Sequence, residues 1–239
     1  MMFYLRTAIL APLLVAQGRL TRRRVPVLPE PPGDREGTTG QGPGLRLLII
    51  GDSAAAGVGA GHQDEALLGR LLADLRTDHT VTWSLHATSG HTTSQTLDRL
   101  DRLPRQAFDV AVTSLGVNDT ISMVSIRSWR QRQARLRQML RDKFSVSSLI
   151  ISGLPPMHRF PALPQPLRWH VGRRAMQLHR SLEKDIASEP DCRFIDLRLA
   201  GDMALMASDG FHPGPPIYAE WARQVGEAIR DPDFVTLNR

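Results

Sequence analysis

Cysteine is nearly absent from this 239-residue sequence, which contains only Cys192. A single cysteine excludes an internal disulfide, and no group of histidines and cysteines has the spacing of a zinc site, so we expect no metal and no other cofactor. No uninterrupted apolar run reaches the roughly 20 residues that span a bilayer. Lysine is also scarce, because only Lys143 and Lys184 accompany 28 arginines among the 30 residues of these two types.

The positive charge is divided between two parts of the chain. The formal net charge is +6. Residues 1–44 contain six arginines and three acidic residues, a net charge of +3, so half of the excess precedes the main body of the sequence. A nucleic-acid-binding domain concentrates its basic residues on one face of the folded body. We therefore expect no nucleic-acid partner.

Residues 1–24 combine an apolar stretch with a basic one. Phe3–Ala16 is largely apolar but is interrupted by Arg6 and Pro12, and an arginine-rich segment follows. Four interpretations stay open: an anchor on a membrane surface, a helix docked on the protein, a signal peptide and a transmembrane span. Peripheral membrane contact through residues 1–24 is thus one prediction. We favour a bacterial-type cytoplasmic or membrane-associated protein, with export as the alternative.

Composition divides the rest of the chain into a linker, one domain and a short tail. Residues 25–44 contain five prolines and five glycines, which is typical of a linker or of an extended segment wrapped on the domain. Residues 45–232 are long enough for one domain with a substantial core. Residues 233–239 are predicted to be a C-terminal tail. The oligomeric state is left open.

Strand and helix patterns alternate along the predicted domain. The apolar strand patterns lie at 45–50, 81–85, 108–116, 147–153 and 193–196. The helical patterns lie at 65–75, 94–103, 128–144, 167–187 and 216–230. This alternation predicts an α/β protein with a mainly parallel sheet covered on both faces, a three-layer sandwich.

Polar residues follow several of these strands. Asp52-Ser53 ends the first strand, Ser89-Gly90 follows the second and Gly116–Asp119 follows the third, while Asp209–His212 precedes the last helix. The carboxyl ends of parallel strands share one edge of a sheet, so these groups are expected to meet there. Each group also has an ordinary structural interpretation as a turn or helix cap. We expect Asp119 to cap the helix that follows it.

These four blocks, in this order, resemble the SGNH/GDSL hydrolases over about residues 45–230. The matching blocks are Gly-Asp-Ser at 51–53, the lone Gly90, Gly-x-Asn-Asp at 116–119 and Asp-x-x-His at 209–212, whereas Ala54 replaces the leucine of the family name. The resemblance implies a three-layer α/β/α sandwich with a flavodoxin-like central sheet. It also implies a catalytic Ser53, His212 and Asp209, and an oxyanion hole formed by the N–H groups of Ser53 and Gly90 and the amide of Asn118.

The resemblance implies a metal-independent serine esterase that acts on a small-molecule acyl ester. A serine hydroxyl becomes nucleophilic when an adjacent base takes its proton, and an aspartate can orient that histidine base. We expect a lipid-like or small acyl ester, with carbohydrate O-deacetylation or thioester cleavage as alternatives. A catalytically silent, membrane-attached binding protein is the alternative from another class. Met157, Phe160 and Leu163 are candidates for contacts with an acyl chain, or else for packing at the edge of the site.

Overall fold

The computed structural model describes residues 2–197, 202 and 204–235, with side chains described from residue 10 onward. A six-stranded sheet with the order β1-β3-β2-β4-β5-β6 forms its centre. The strands are β1 Glu36–Gly40, β2 Gly44–Gly51, β3 Thr80–Ala87, β4 Val110–Ser114, β5 Ser148–Ser152 and β6 Cys192–Ile195. Only β1 is antiparallel to its neighbour, so the other five strands share one direction.

Helices cover both faces of the sheet. In the described residues they are α1 Met2–Arg24, α2 Ser53–Ala56, α3 Leu67–Leu75, α4 Thr93–Arg102, α5 Val117–Ile121, α6 Ile126–Phe144, α7 Leu167–Ile186 and α8 Pro215–Arg230. Helices α3 and α8 pack on one face, and α4, α6 and α7 pack on the other. This arrangement confirms the predicted α/β/α sandwich, and without β1 the strand order is that of flavodoxin-like sheets.

Strand β2 lies at the centre of the sheet because both of its faces are apolar. Leu45, Leu47 and Ile49 pack toward α3 and α8, whereas Leu48 and Ile50 pack toward α4 and α6. A strand buried on both faces has a nearly continuous apolar sequence, as this one does. Its pairing with β4 sets Gly51 opposite Ser114. The segments that follow the two strands therefore begin side by side.

The segment predicted as a linker, 25–44, contributes an edge strand to the sheet. Strand β1 pairs with β3 over five residues, from Glu36 opposite Ser84 to Gly40 opposite Thr80. Its sequence, Glu-Gly-Thr-Thr-Gly, has no apolar residue, so hydrophobic periodicity could not detect it. The predicted tail also contributes to the domain, because Phe234 and Val235 are buried in the core on the α8 side. The folded body is thus larger than residues 45–232.

Helix α1 lies against the N-terminal end of α7. Leu14 is buried, and the Gln17 side chain donates to the backbone oxygen of Gln165 and accepts from the backbone nitrogen of Leu167, at 2.7 and 3.0 Å. These contacts agree with the docked-helix interpretation. Within the described residues, no helix combines the length and apolar character that crossing a membrane requires.

Asp119 does not cap the helix that follows, so this prediction is wrong. It lies inside the short helix α5, and its Oδ2 accepts hydrogen bonds from the backbone nitrogen and the hydroxyl of Thr93, both at 2.9 Å. Asp119 thus fastens α5 to the first turn of α4. The cap of α6 is Ser125, whose Oγ accepts from the backbone nitrogen of Ser128 at 3.1 Å.

Candidate active site

Ser53 is the first residue of α2, directly after the central strand β2. The turn between them is tight, because a Cβ at Gly51 would lie 2.4 Å from the Ala55 side chain and 2.5 Å from the Ser114 carbonyl oxygen. Asp52 caps α2, with its Oδ1 accepting from the backbone nitrogen of Ala54 at 3.2 Å. A glycine and a capping aspartate therefore place Ser53 at the carboxyl edge of the sheet, where open α/β sheets bind ligands.

His212 and Asp209 complete a chain of hydrogen bonds to Ser53. His212 Nε2 lies 2.9 Å from Ser53 Oγ, and His212 Nδ1 lies 2.5 Å from Asp209 Oδ2. With Nδ1 protonated and donating to the carboxylate, Nε2 is free to accept the serine proton. The three residues predicted to be catalytic are thus brought together in the order that nucleophilic activation needs.

The loop before α8 holds Asp209 in its ionised form. Its Oδ1 accepts from the backbone nitrogens of Phe211 and His212, at 2.9 and 3.0 Å. Burial raises the pKa of Asp209, but the hydrogen bonds from His212 and Phe211 outweigh it and leave the pKa below its ordinary value. A carboxylate therefore faces His212 at neutral pH.

Two of the three predicted oxyanion donors are unpaired backbone N–H groups. Neither the Ser53 nor the Gly90 nitrogen donates to a protein acceptor within the described residues. Gly90 follows β3 and has a φ of +80°, and a Cβ at this position would meet no atom within 4 Å. Backbone conformation rather than space therefore favours glycine here, since other residues rarely adopt a positive φ.

Asn118, the third predicted donor, has both amide hydrogens engaged. It lies in α5, and its Nδ2 donates to the backbone oxygen of His91 at 3.0 Å and to Asp52 Oδ2 at 3.2 Å. An amide nitrogen carries two hydrogens. Donation to an oxyanion would thus replace one of these contacts, of which the one with Asp52 is the longer.

Asp52 is a buried part of the site, although the sequence shows it only as the middle residue of the Gly-Asp-Ser motif. It is 3% exposed, and burial raises its pKa to about 7 against the opposing effects of the Ala54 N–H group and of His212. Its position directly before the predicted nucleophile was visible in the sequence. The contact with Asn118, 66 residues away, was not.

A small apolar cavity lies beside Ser53 and His212. Its volume is about 40 Å³, which is small beside the roughly 300 Å³ or more of typical ligand pockets. The apolar residues that line it are Ala54, Leu115, Val117, Pro155, Phe160, Leu197, Phe211, Pro213, Ile217 and Trp221. Of the three predicted acyl-chain contacts, only Phe160 is among the lining residues, whereas Met157 and Leu163 are buried in the core on the α6 and α7 side.

In the described part of the chain, one group of side chains has the spacing of a metal site, and it lies near β6 rather than at Ser53. The group consists of Glu189, Asp191 and Cys192. Arg137 pairs with Glu189 at 2.7 Å, and Arg141 pairs with Asp191 at 2.6 Å. Burial and the two carboxylates raise the pKa of Cys192 to about 12, so its thiol is protonated at neutral pH. The carboxylates of this group are thus already paired with arginines.

Comparisons with known proteins agree with the fold and the motifs. The GDSL-like lipase/acylhydrolase family matches residues 49–220, from β2 to α8. None of the curated proteins compared with the sequence matches it.

Solved structures share the fold at low sequence identity. The lipase Lip_vut3 from a goat rumen metagenome is 18% identical, with a TM-score of 0.60 over 81% of this chain and 100% of the lipase. The Mycobacterium smegmatis aryl esterase is 20% identical, with a TM-score of 0.58 over 78% and 98% of the two chains. The Geobacillus stearothermophilus acetylxylan esterase Axe2 is 17% identical, with a TM-score of 0.54 over 83% and 98%. The chain belongs to the GDSL-like lipase/acylhydrolase family, and the protein is an acyl ester hydrolase.

Proposed function

We propose that the protein hydrolyses carboxylic esters of short acyl groups through an acyl-enzyme formed on Ser53. The observation that carries this proposal is the unbroken chain of hydrogen bonds from Ser53 Oγ through His212 to Asp209. In acylation, Ser53 Oγ bonds to the acyl carbon and passes its proton to His212 Nε2. The alcohol then leaves with that proton. In deacylation, water attacks the acyl carbon, His212 takes and returns a proton, and the acid is released.

Asp209 supports both steps through His212. Its carboxylate keeps the proton on Nδ1, so that Nε2 is the basic nitrogen, and it stabilises the imidazolium formed as Ser53 attacks. Negative charge develops on the carbonyl oxygen at the same moment. The unpaired N–H groups of Ser53 and Gly90 are available to bind that charge. Asn118 would add a third donor after giving up one of its contacts.

The size and lining of the cavity support a short acyl group. A space of about 40 Å³ with mostly apolar walls favours a short acyl chain, whereas a fatty acyl chain would extend beyond it. The similar structures carry the names lipase, aryl esterase and acetylxylan esterase, so they do not select one alcohol. Carbohydrate O-deacetylation and thioester cleavage therefore stay as alternatives within this mechanism.

The test is a series of p-nitrophenyl esters from acetate to decanoate, assayed with wild type, Ser53→Ala and His212→Ala. We expect the highest kcat/KM on esters of two to four carbons, and a loss of at least about 10³-fold in kcat for both variants. Variants that hydrolyse as fast as wild type would contradict the mechanism. Acetylated xylan oligomers and an acetyl thioester, assayed in parallel, separate the two alternatives from simple ester hydrolysis.

We also propose that α1 contacts an anionic lipid surface through its exposed arginines. Residues 1–29 contain no acidic residue, and Arg19, Arg22, Arg23 and Arg24 are exposed. Three apolar side chains of α1 are also exposed, and they are spread around the helix rather than gathered on one side: Leu13, Val15 and Leu20 are 46%, 51% and 43% exposed. Arginines beside exposed leucines suit the boundary between lipid headgroups and acyl chains. Binding of the protein to anionic vesicles tests this contact.

A further inference from the structure

Glu30, from the segment between α1 and β1, holds the loop that carries Gly90. Its Oε1 accepts hydrogen bonds from the backbone nitrogen and the hydroxyl of Ser89, at 2.8 and 2.7 Å. Its Oε2 pairs with Arg35 at 2.5 Å. Both residues precede the part of the chain that matches the family, which begins at residue 49. Part of the support for this loop therefore comes from outside the matched region.

Arg35 joins the same loop at its other end. Its Nη1 donates to the backbone oxygen of Ala87 at 2.8 Å, and its own backbone oxygen accepts from the Leu85 nitrogen at 2.7 Å. Glu30 and Arg35 are thus paired with each other and hydrogen-bond to the two neighbours of Thr88, Ser89 and Ala87. Thr88 itself is tied to the central strand, since its nitrogen donates to the Gly51 oxygen at 3.2 Å.

These contacts matter because the loop carries the N–H group of Gly90, a predicted oxyanion donor. Gly90 follows Ser89 directly, and a glycine at φ +80° is free to adopt many other conformations. An oxyanion donor is effective only when its N–H direction is fixed before the charge develops. The next residue, His91, accepts a hydrogen bond from Asn118 through its backbone oxygen. The position of this one loop therefore sets two of the three predicted donors.

The carboxylate of Glu30 is well suited to this task at neutral pH. Burial alone would raise its pKa, but the hydrogen bonds from Ser89 and the charge of Arg35 outweigh it and lower the pKa below the ordinary value. An ionised carboxylate accepts two hydrogen bonds at once and makes them stronger than neutral acceptors do.

We propose that Glu30 and Arg35 are positioning residues for ester hydrolysis, which hold residues 87–90 so that the Gly90 N–H points at the oxyanion. This inference rests on the proposed function, because it assumes that Gly90 stabilises a tetrahedral intermediate on Ser53. Glu30 and Arg35 are not catalytic residues, since they act through Ser89 and the Ala87 carbonyl.

The test compares Glu30→Ala and Glu30→Gln with Asp34→Ala, a change to an exposed acidic residue of the same segment. Steady-state kinetics on p-nitrophenyl acetate give kcat and KM, and a trifluoromethyl ketone that forms a tetrahedral adduct with serine gives Ki. For Glu30→Ala we expect kcat to fall by about 10- to 100-fold, KM to stay within about twofold and Ki to rise in parallel. The kcat and Ki of Glu30→Gln should lie between those of wild type and Glu30→Ala, because the glutamine amide oxygen still accepts hydrogen bonds from Ser89. Asp34→Ala should match wild type.

Retention of wild-type kcat and Ki by folded Glu30→Ala would overturn the inference. If that variant does not fold, Ser89→Ala and Arg35→Lys replace it. For each of these variants we expect kcat to fall by about threefold or more while KM is unchanged. Wild-type kcat values for both variants would also overturn the inference. Ser53→Ala serves as the reference for the proposed function. An active Ser53→Ala refutes the mechanism, whereas an inactive Ser53→Ala beside a fully active Glu30→Ala refutes only the role of Glu30.

Discussion

Asp52 Oδ2 accepts a hydrogen bond from Asn118 Nδ2 across 3.2 Å, so the residue before the predicted nucleophile is tied to a predicted oxyanion donor. The other oxygen of the same carboxyl group caps α2 through the Ala54 nitrogen. One buried side chain thus joins the end of β2, which places Ser53, to the end of β4, which places Asn118. The geometry of the site therefore depends on Asp52, although this residue takes no part in the proposed proton transfers.

Replacing Asp52 by asparagine should change how stability depends on pH. The pKa of Asp52 is about 7 in the folded protein and close to 3.8 when exposed, so the folded state binds this proton more tightly than the unfolded state. The stability that the proton contributes is complete below about pH 4 and is lost as the pH rises through about 7. The amide that replaces the carboxyl group is neutral at every pH. We therefore expect the free energy of unfolding of Asp52→Asn to increase relative to wild type from about pH 4 to about pH 7 and to level off at higher pH.

Urea unfolding of both proteins at five or six pH values measures this difference. Groups that titrate equally in wild type and variant cancel in the comparison, so the slope of the difference reports on Asp52. A difference that does not vary with pH would contradict the raised pKa. If Asp52→Asn is more stable than wild type at high pH but has a lower kcat, the buried carboxyl group supports activity and lowers stability.

Asn118→Ala should lower kcat with little effect on KM. Loss of one oxyanion donor typically reduces kcat by about 10²- to 10³-fold, because the interaction strengthens only in the transition state. Removal of this side chain also frees Asp52 Oδ2, so the unfolding midpoint must be measured beside the kinetics. A fall of less than about threefold in a stably folded variant would mean that Asn118 only supports Asp52 and His91, as its contacts in this structure already do.

Hydrophobic patterns were sufficient to predict the sheet but not its edge. Strand β2 is buried on both faces, so its apolar run was unambiguous, and the ends of the parallel strands placed Ser53, Asn118 and Gly90 together. Strand β1 is short and polar, and only its pairing with β3 defines it. A five-residue edge strand of glycine, threonine and glutamate has the composition of a linker.

Contacts between polar residues far apart in the sequence could not be predicted, for a different reason. The hydrogen bond between Glu30 and Ser89 joins residues 59 positions apart, and no pattern of charge or spacing in the sequence connects the two. Phe160 and Met157, which lie in one loop, also show that the sequence did not indicate which side chains line the cavity. Both are buried in the same apolar core, but only Phe160 also lines the cavity.

Phe160→Leu should shift the acyl-chain preference toward longer esters. The Phe160 ring lines the cavity and packs edge-on against Phe211 at 5.2 Å between ring centres, so a smaller side chain opens space beside Ser53. Each methylene that gains a buried position adds about 0.8 kcal/mol, or about fourfold in kcat/KM. The ratio of kcat/KM for the hexanoate and acetate esters is the readout. Met157→Leu is the control, and an equal shift in that ratio would mean that the preference is not set at this wall.

Arg22→Gln/Arg23→Gln should weaken binding of the full-length protein to anionic vesicles. A basic residue near an anionic surface contributes about 1 kcal/mol, so loss of two arginines should reduce the partition coefficient by about thirtyfold. Sedimentation with phosphatidylglycerol/phosphatidylcholine vesicles measures it, and added salt should reduce wild-type binding in the same direction. The matched control is Arg127→Gln/Arg135→Gln, which removes two exposed arginines from α6 instead. Equal weakening by both pairs, or equal binding of wild type to pure phosphatidylcholine, would show that α1 has no specific role at the membrane.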